Sequence, residues 1–240
     1  MFFTLAAAMR RQKKILKKKD HGMSACHVAQ FNVVGTRMAA AGRFYQQVLV
    51  LAFICVASGM KLVYFDAKGV VELARVMLKV GNVAFEDVRY AIISKEGGGG
   101  FDTPEFTIAK ANGELAINMD RAPMLVVGDT KIGQSKTIER YVANKCGLMG
   151  SNSEEAAVID CIAENIRDIK EKWSKIRSIG GMGPNAEKDL AMKKWFEEGE
   201  FKEWLSKLEK SLPPPKVDTF AVGSSLSYAD MTIWYVHARG

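Results

Sequence analysis

The residues best placed to do chemistry lie in one run, Arg121 to Tyr141: Arg-Ala-Pro-Met-Leu-Val-Val-Gly-Asp-Thr-Lys-Ile-Gly-Gln-Ser-Lys-Thr-Ile-Glu-Arg-Tyr. It reads as a short apolar strand over Met124–Val127, a Gly128-Asp129 turn, a second short strand, and a helix beginning near Gln134-Ser135. Pro123 has no N–H to give a sheet ladder, which puts it at the start of its strand or on an edge strand. Backbone groups of Ala122 are then left to pair with something extended, such as a peptide. A helix start presents N–H groups without intrahelical partners and the positive end of the helix dipole, both suited to a carboxylate. The combination is a seat for a small peptide with a carboxylate end. The plain alternative is an ordinary strand–turn–helix in which Ser135 is a polar N-cap, a common use of serine.

Other chemistries have less support. The four cysteines (Cys26, Cys55, Cys146, Cys161) form no Cys-x-x-Cys pair and no metal-ligand spacing. Thiols in a reducing compartment are expected, and no metal centre. The net charge of +7 suggests a nucleic-acid partner, but its distribution argues against one. Nine of the 34 Lys and Arg and one of the 27 acids fall in residues 1–59, leaving 25 bases against 26 acids in the rest of the chain. The excess charge therefore belongs to an N-terminal extension.

That extension does not read as a domain. Arg10–Lys19 is a basic run of the kind usually found as a solvated tail. Val48–Ala57 is apolar but shorter than the roughly 20 residues a membrane span needs. It fits the core of a signal peptide, with Arg43 before it and Ala57-Ser58-Gly59 as a small-residue cleavage site, best if translation starts at Met38. An internal start at Met60 is the rival. Residues 1–59 are expected to be disordered or processed.

The elements that must position the peptide seat begin just after. Lys61–Phe65 is apolar and β-prone. Val70, Leu73, Ala74, Met77 and Leu78 form the stripe of an amphipathic helix, which Gly81 is expected to close at the C′ position. Val83–Ile93 reads as a second strand, and Lys95–Asn118 as irregular, with Gly97–Gly100 a flexible loop. Strand–helix–strand followed by strand–strand–helix is the pattern of an α/β thioredoxin-like domain, assigned to residues 60–150. Residues 151–240 read as all-α. Helices are expected over Asn152–Ser178, Ala186–Gly199 and Phe201–Leu212, the last stopped by Pro213-Pro214-Pro215. Ser227 and Asp230 then make a capping box at the start of a further helix.

Pro-Met-Leu-Val…Gly-Gln-Ser-Lys-Thr-Ile-Glu-Arg-Tyr resembles the glutathione-binding segment of the cytosolic glutathione transferases, most closely the sigma-like class that includes glutathione-dependent prostaglandin D synthases. The resemblance covers residues 60–240, with a weak patch at 94–118. It implies glutathione as co-substrate and a cis peptide bond before Pro123. Ala122 would pair with the cysteinyl backbone of glutathione, and Gln134 and Ser135 would hold its γ-glutamyl carboxylate. A free thiol has a pKa of about 8.5, and a hydrogen-bond donor aimed at the sulfur favours the thiolate. In the family that donor is a tyrosine at the end of the first strand. Lys-Leu-Val-Tyr-Phe matches the motif, which implies Tyr64 as the catalytic residue. The plain reading of Tyr64 is a strand residue with its ring in the core. Phe65, Gly69, Glu72 and Arg75 also match, and the resemblance implies Phe65, Ala67 and Gly69 as the visible walls of the second-substrate pocket. The family's arginine after the glycine is Val70 here, and its glycyl-contacting tryptophan has no equivalent. Arg121 is a candidate for the glycyl carboxylate, or a solvated arginine.

Asp160–Asp168 aligns with the family's first helical-domain helix. The resemblance therefore implies a homodimer in which Asp168 reaches the partner subunit's glutathione; the alternative is a surface charge beside Lys172, worth about 0.2–0.5 kcal/mol. The family continues past the position of Gly240, so a C-terminally truncated, incomplete helical domain is expected. The functional expectation is a cytoplasmic glutathione S-transferase that joins the glutathione thiolate to electrophilic, mostly apolar small molecules in detoxification. Alternatives are a non-catalytic crystallin-like relative or a prostaglandin-type isomerase. Neither a nucleic-acid partner nor a membrane span is expected, and a secretory location follows only if residues 38–59 act as a signal peptide.

Overall fold

The computed structural model describes residues 59–98, 100–181, 185–214 and 220–237. The basic run, the apolar stretch Val48–Ala57 and Pro215 lie outside them. The chain divides into two compact units, one ending at Glu139 and the other beginning at Arg140.

The first unit is a four-stranded mixed sheet. β1 (Met60–Phe65) is followed by a 3-10 turn (Gly69–Val71) and α1 (Glu72–Val80), and then by β2 (Glu86–Tyr90), which lies parallel to β1. β5 (Met124–Val127) pairs antiparallel with β1, and β6 (Thr130–Gly133) antiparallel with β5, giving the order β2-β1-β5-β6. The hairpin between β5 and β6 turns at Gly128, whose φ of 56° suits glycine. β5 is thus an interior strand, and Pro123 stands at its start rather than on an edge.

Strand alternation gives the sheet two faces. Val63, Phe65, Val88, Tyr90, Met124 and Val126 share one, packed with Phe106, Ala109 and Leu115. Leu62 and Leu125, both fully buried, share the other, and Tyr64 lies at the end of that row. α1 buries Leu73, Ala74, Met77 and Leu78 of the expected stripe, whereas Val70 lies in the 3-10 turn before the helix and is exposed.

Three details differ from the sequence expectation. Gly81 is the C-cap with φ −75°, and Asn82 takes the left-handed C′ place with φ 53°. The Asn82 and Val83 amides donate to the Lys79 and Leu78 carbonyls, a Schellman closure for which asparagine serves as well as glycine. The strand expected over Val83–Ile93 is shorter: β2 ends at Tyr90, and Ile93–Ser94 forms β3, paired with β4 (Phe101–Asp102) in a separate two-stranded sheet. The stretch read as irregular contains α2 (Pro104–Ala111), started by Pro104, whose fixed φ suits the first helical turn.

α3 (Ser135–Lys145) carries the division between the units. In the second unit α4 (Ser153–Ser178) is capped by the Asn152 side chain, which accepts from the Glu155 amide at 2.8 Å. Its buried stripe is Ile159, Ile162, Ala163, Ile166, Ile169 and Ile176. α5 (Ala186–Phe196) and α6 (Glu200–Ser211) meet it through Trp173 stacked on Trp195, with Phe196 and Phe201 alongside. α7 (Tyr228–His237) begins at the expected box. Asp230, fully buried, accepts from the Ser227 amide and hydroxyl and from the Ala221 amide. Among the described residues no helix is long and apolar enough to cross a membrane, and no cluster of His, Cys, Asp or Glu could hold a metal.

Candidate functional site

The sheet register lines up three of the expected residues. Val63, Met124 and Gly133 form a row across β1, β5 and β6. One position further, at the same end of the sheet, stand Tyr64, Pro123 and Gln134. Neighbouring strands are about 4.8 Å apart, so Tyr64 and Gln134 are separated by roughly 10 Å. An extended tripeptide also spans roughly 10 Å.

Tyr64 ends the buried row of Leu62, with its ring half-buried and edge-on to Phe65 at 5.2 Å between centroids. A Cβ built on Gly69 would stand 2.7 Å from the Tyr64 hydroxyl and 2.5 Å from ring atom Cε1. The hydroxyl therefore rests against the backbone that opens the 3-10 turn and α1, and glycine is what lets it approach. The intervening loop is fixed by Arg75, which is 3% exposed. Its Nη1 donates to the Ala67 carbonyl at 2.7 Å and its Nε to Asp87 at 3.0 Å, while Glu72 closes an ion pair at 3.4 Å. Asp87 also holds Arg89, which reaches Asp66. Hydrogen bonds from Arg89 to Asp66 and then Asp87 raise its pKa.

The peptide bond between Ala122 and Pro123 is cis. Gln134 has φ 63° and its carbonyl accepts from the Ile138 amide at 3.0 Å, so Gln134 is the N-cap of α3 and Ser135 its first helical residue. Ser135 is therefore not the polar cap of the plain reading. The amides of the first turn have no intrahelical partner, and Lys136 binds the nearly buried Glu139 within that turn.

The remaining candidates fall as follows. Phe65 packs with Tyr90 and Phe106 against the core cluster, so its ring is committed to the opposite sheet face. Ala67 is half-buried, Gly69 is exposed, and Val70 is 51% exposed in the 3-10 turn. Arg121 is exposed and folds back on its own turn, with Nε donating to the Asn118 carbonyl at 3.3 Å. Asp168 is exposed on α4 in the helical unit. Tyr90 and Cys146 both have raised pKa values, chiefly from burial. Asn118 joins these candidates from the structure alone. It is 3% exposed, and its side chain reaches both halves of the peptide seat. No residue spacing marks it, because its partners come together only through the sheet.

The family described as "Glutathione S-transferase, C-terminal domain" matches residues 167–239. Glutathione S-transferase 4 of Caenorhabditis elegans is 32% identical over 173 residues, 72% of this chain and 76% of that protein. The glutathione S-transferase of Ascaris lumbricoides has a solved structure that is 26% identical, with a TM-score of 0.58 over 75% of this chain and 79% of that one. The Pi-class glutathione S-transferase of Onchocerca volvulus is likewise 26% identical, with a TM-score of 0.57 over 75% and 77%.

Proposed function

The chain belongs to the glutathione S-transferase family, and on that premise we propose that Tyr64, Ala122, Pro123, Gln134 and Ser135 form its glutathione site. The protein is a glutathione transferase that joins the glutathione thiolate to an electrophilic small molecule. The observation that carries the site is the row beyond Val63, Met124 and Gly133. It sets Tyr64, Pro123 and Gln134 across the end of the sheet at the length of a tripeptide.

Each residue then has one task. The γ-glutamyl carboxylate sits on the first-turn amides of α3 and the Ser135 hydroxyl, where the helix dipole favours negative charge. Backbone groups of Ala122 pair with the cysteinyl residue. The Tyr64 hydroxyl donates to the cysteinyl sulfur and favours its ionised form. The thiolate attacks the electrophile's carbon, a C–S bond forms, and the leaving group departs with its electron pair. Arg121 swings from its own turn to the glycyl carboxylate. Ala67 and Gly69 border the second substrate, while Phe65, whose ring lies in the core on the opposite sheet face, only backs Tyr64 edge-on.

The sigma-like class, a two-fold homodimer with Asp168 reaching the partner subunit's glutathione, a cytoplasmic location and a role in detoxification complete the proposal. The test is retention on immobilised glutathione followed by chlorodinitrobenzene conjugation at pH 6.5, for the parent and Tyr64→Phe. The variant is expected to be retained and to turn over roughly 10–1000-fold more slowly, the scale of losing one stabilising donor. Equal turnover refutes the role of Tyr64. Sedimentation of the parent and Asp168→Ala tests the dimer. N-terminal sequencing of fractionated protein tests the location, and a mature terminus found only in secretory fractions overturns it.

A further inference from the structure

The two halves of the peptide seat are far apart in sequence and are joined through one buried side chain. Asn118 lies in the 3-10 turn before the seat (Ala116–Asn118) and is 3% exposed. Its Nδ2 donates to the Arg121 carbonyl and to the Pro123 carbonyl, both at 2.9 Å, and its Oδ1 accepts from the Gln134 amide at 3.1 Å. Both amide hydrogens and the carbonyl oxygen are used, and the three bonds end on the residues flanking Ala122 and on the cap of α3. Gly133 is shaped to this arrangement: a Cβ there would lie 2.7–2.9 Å from the Asn118 Cβ, Cγ and Oδ1. Gln134 holds a left-handed φ of 63°, which a non-glycine residue keeps only when its surroundings fix it.

We propose that Asn118 is a positioning residue for glutathione, setting the Ala122 backbone and the Gln134–Ser135 helix start at the separation the tripeptide requires. This rests on the glutathione site proposed above. Asn118 touches no substrate; it acts through Gln134 and through the carbonyls on either side of Ala122. Serine, threonine and aspartate each lack the pair of donors plus acceptor that the three bonds require.

The experiment measures glutathione Kd by calorimetry and the chlorodinitrobenzene KM at saturating glutathione. The proteins are the parent, Asn118→Ala, Asn118→Asp, Ser135→Ala, and Asn118→Ala with Ser135→Ala. Asn118→Ala is expected to raise the glutathione Kd roughly 10-fold, the scale of leaving buried groups unpaired, with the electrophile KM close to the parent's. The loss should shrink in the Ser135→Ala background, because Asn118 acts on the carboxylate end of glutathione through the backbone of the helix start that carries Ser135.

Asn118→Asp keeps the shape and the acceptor for Gln134 but aims an oxygen at two carbonyls. Its glutathione Kd should therefore rise at least as far as that of Asn118→Ala. This variant carries the test if Asn118→Ala melts below assay temperature. Full additivity with Ser135→Ala, an electrophile KM raised as much as the glutathione Kd, or an unchanged Kd overturns the inference while Ser135→Ala still weakens binding. If Ser135→Ala also leaves Kd unchanged, or the parent fails to bind glutathione, the site reading falls and takes this inference with it.

Discussion

Replacing Gly69 by alanine tests the aim of Tyr64 without touching the tyrosine. The new Cβ would stand 2.5 Å from ring Cε1, 2.7 Å from the hydroxyl oxygen and 2.9 Å from Cζ. Carbon atoms rest about 3.5–4.0 Å apart, so the ring must retreat by about 1 Å at its hydroxyl end. The φ of 46° at Gly69 costs an L-residue a further 1–2 kcal/mol or so, felt as lower stability of the loop. A misplacement near 1 Å in a catalytic group costs on the order of 100-fold in rate. Gly69→Ala should therefore lower chlorodinitrobenzene kcat about 100-fold at saturating glutathione. The glutathione Kd should stay close to the parent's, because Ala122 and Ser135 are untouched. In a Tyr64→Phe background the same change should cost little more, the hydroxyl being already gone. A kcat within about twofold of the parent would refute the reasoning. An equally large loss in the Tyr64→Phe background would move the effect from the tyrosine to the backbone.

Three further outcomes are expected. Ser135→Ala should weaken glutathione binding by about 1–3 kcal/mol, the cost of an unmet charged acceptor, and calorimetry showing no change removes Ser135 from the site. Asp230→Ala strips three donors of a buried acceptor. It should destabilise the helical unit by about 3 kcal/mol, read from denaturant melts, with an unchanged midpoint as the contrary result. Burial, followed by Glu114 and Glu105, raises the Tyr90 pKa above its ordinary value of about 10. The folded protein then keeps a proton that the unfolded chain releases. The stability this gives is present below about pH 10 and is lost as pH rises through the folded value. The denaturation midpoint should fall more between pH 9 and pH 11 in the parent than in Tyr90→Phe; equal falls would show that Tyr90 does not carry the effect.

What the sequence made legible was what its neighbours in sequence decide. β1 and β5 announce themselves as apolar runs, the stripe of α1 by its period, and Ser227 with Asp230 as a box beside the helix it starts. α2 buries only Ala109 on its own face, so it has almost no period to read, and Pro104 was its one cue. At the end of α1 glycine and asparagine stood side by side, and tertiary geometry gave the left-handed place to Asn82. The shortened β2 carries Glu86, Asp87 and Arg89, charges that serve Lys61, Arg75 and Asp66 rather than a buried strand.

The site divides in the same way. Tyr64, Pro123, Gln134 and Ser135 belong to contiguous motifs, but their alignment in one row is a property of register and is visible only once β1, β5 and β6 are paired. Asn118 had no motif at all, since its bonds reach 3, 5 and 16 residues along the chain to points that only the hairpin brings together. Val70 shows the converse. Its identity was plain in the sequence, and the structure adds that it is half exposed in the turn beside Gly69, with an apolar side chain and no charge. In the proposed site a thiolate near that turn would draw its stabilisation from the Tyr64 hydroxyl and the backbone dipoles, not from a side-chain cation at this position. Hydroxyl aim then matters more to this protein than to one with an arginine there. For that reason Gly69, proposed to set the aim, and Asn118, proposed to set the tripeptide against it, should be the most revealing positions to change.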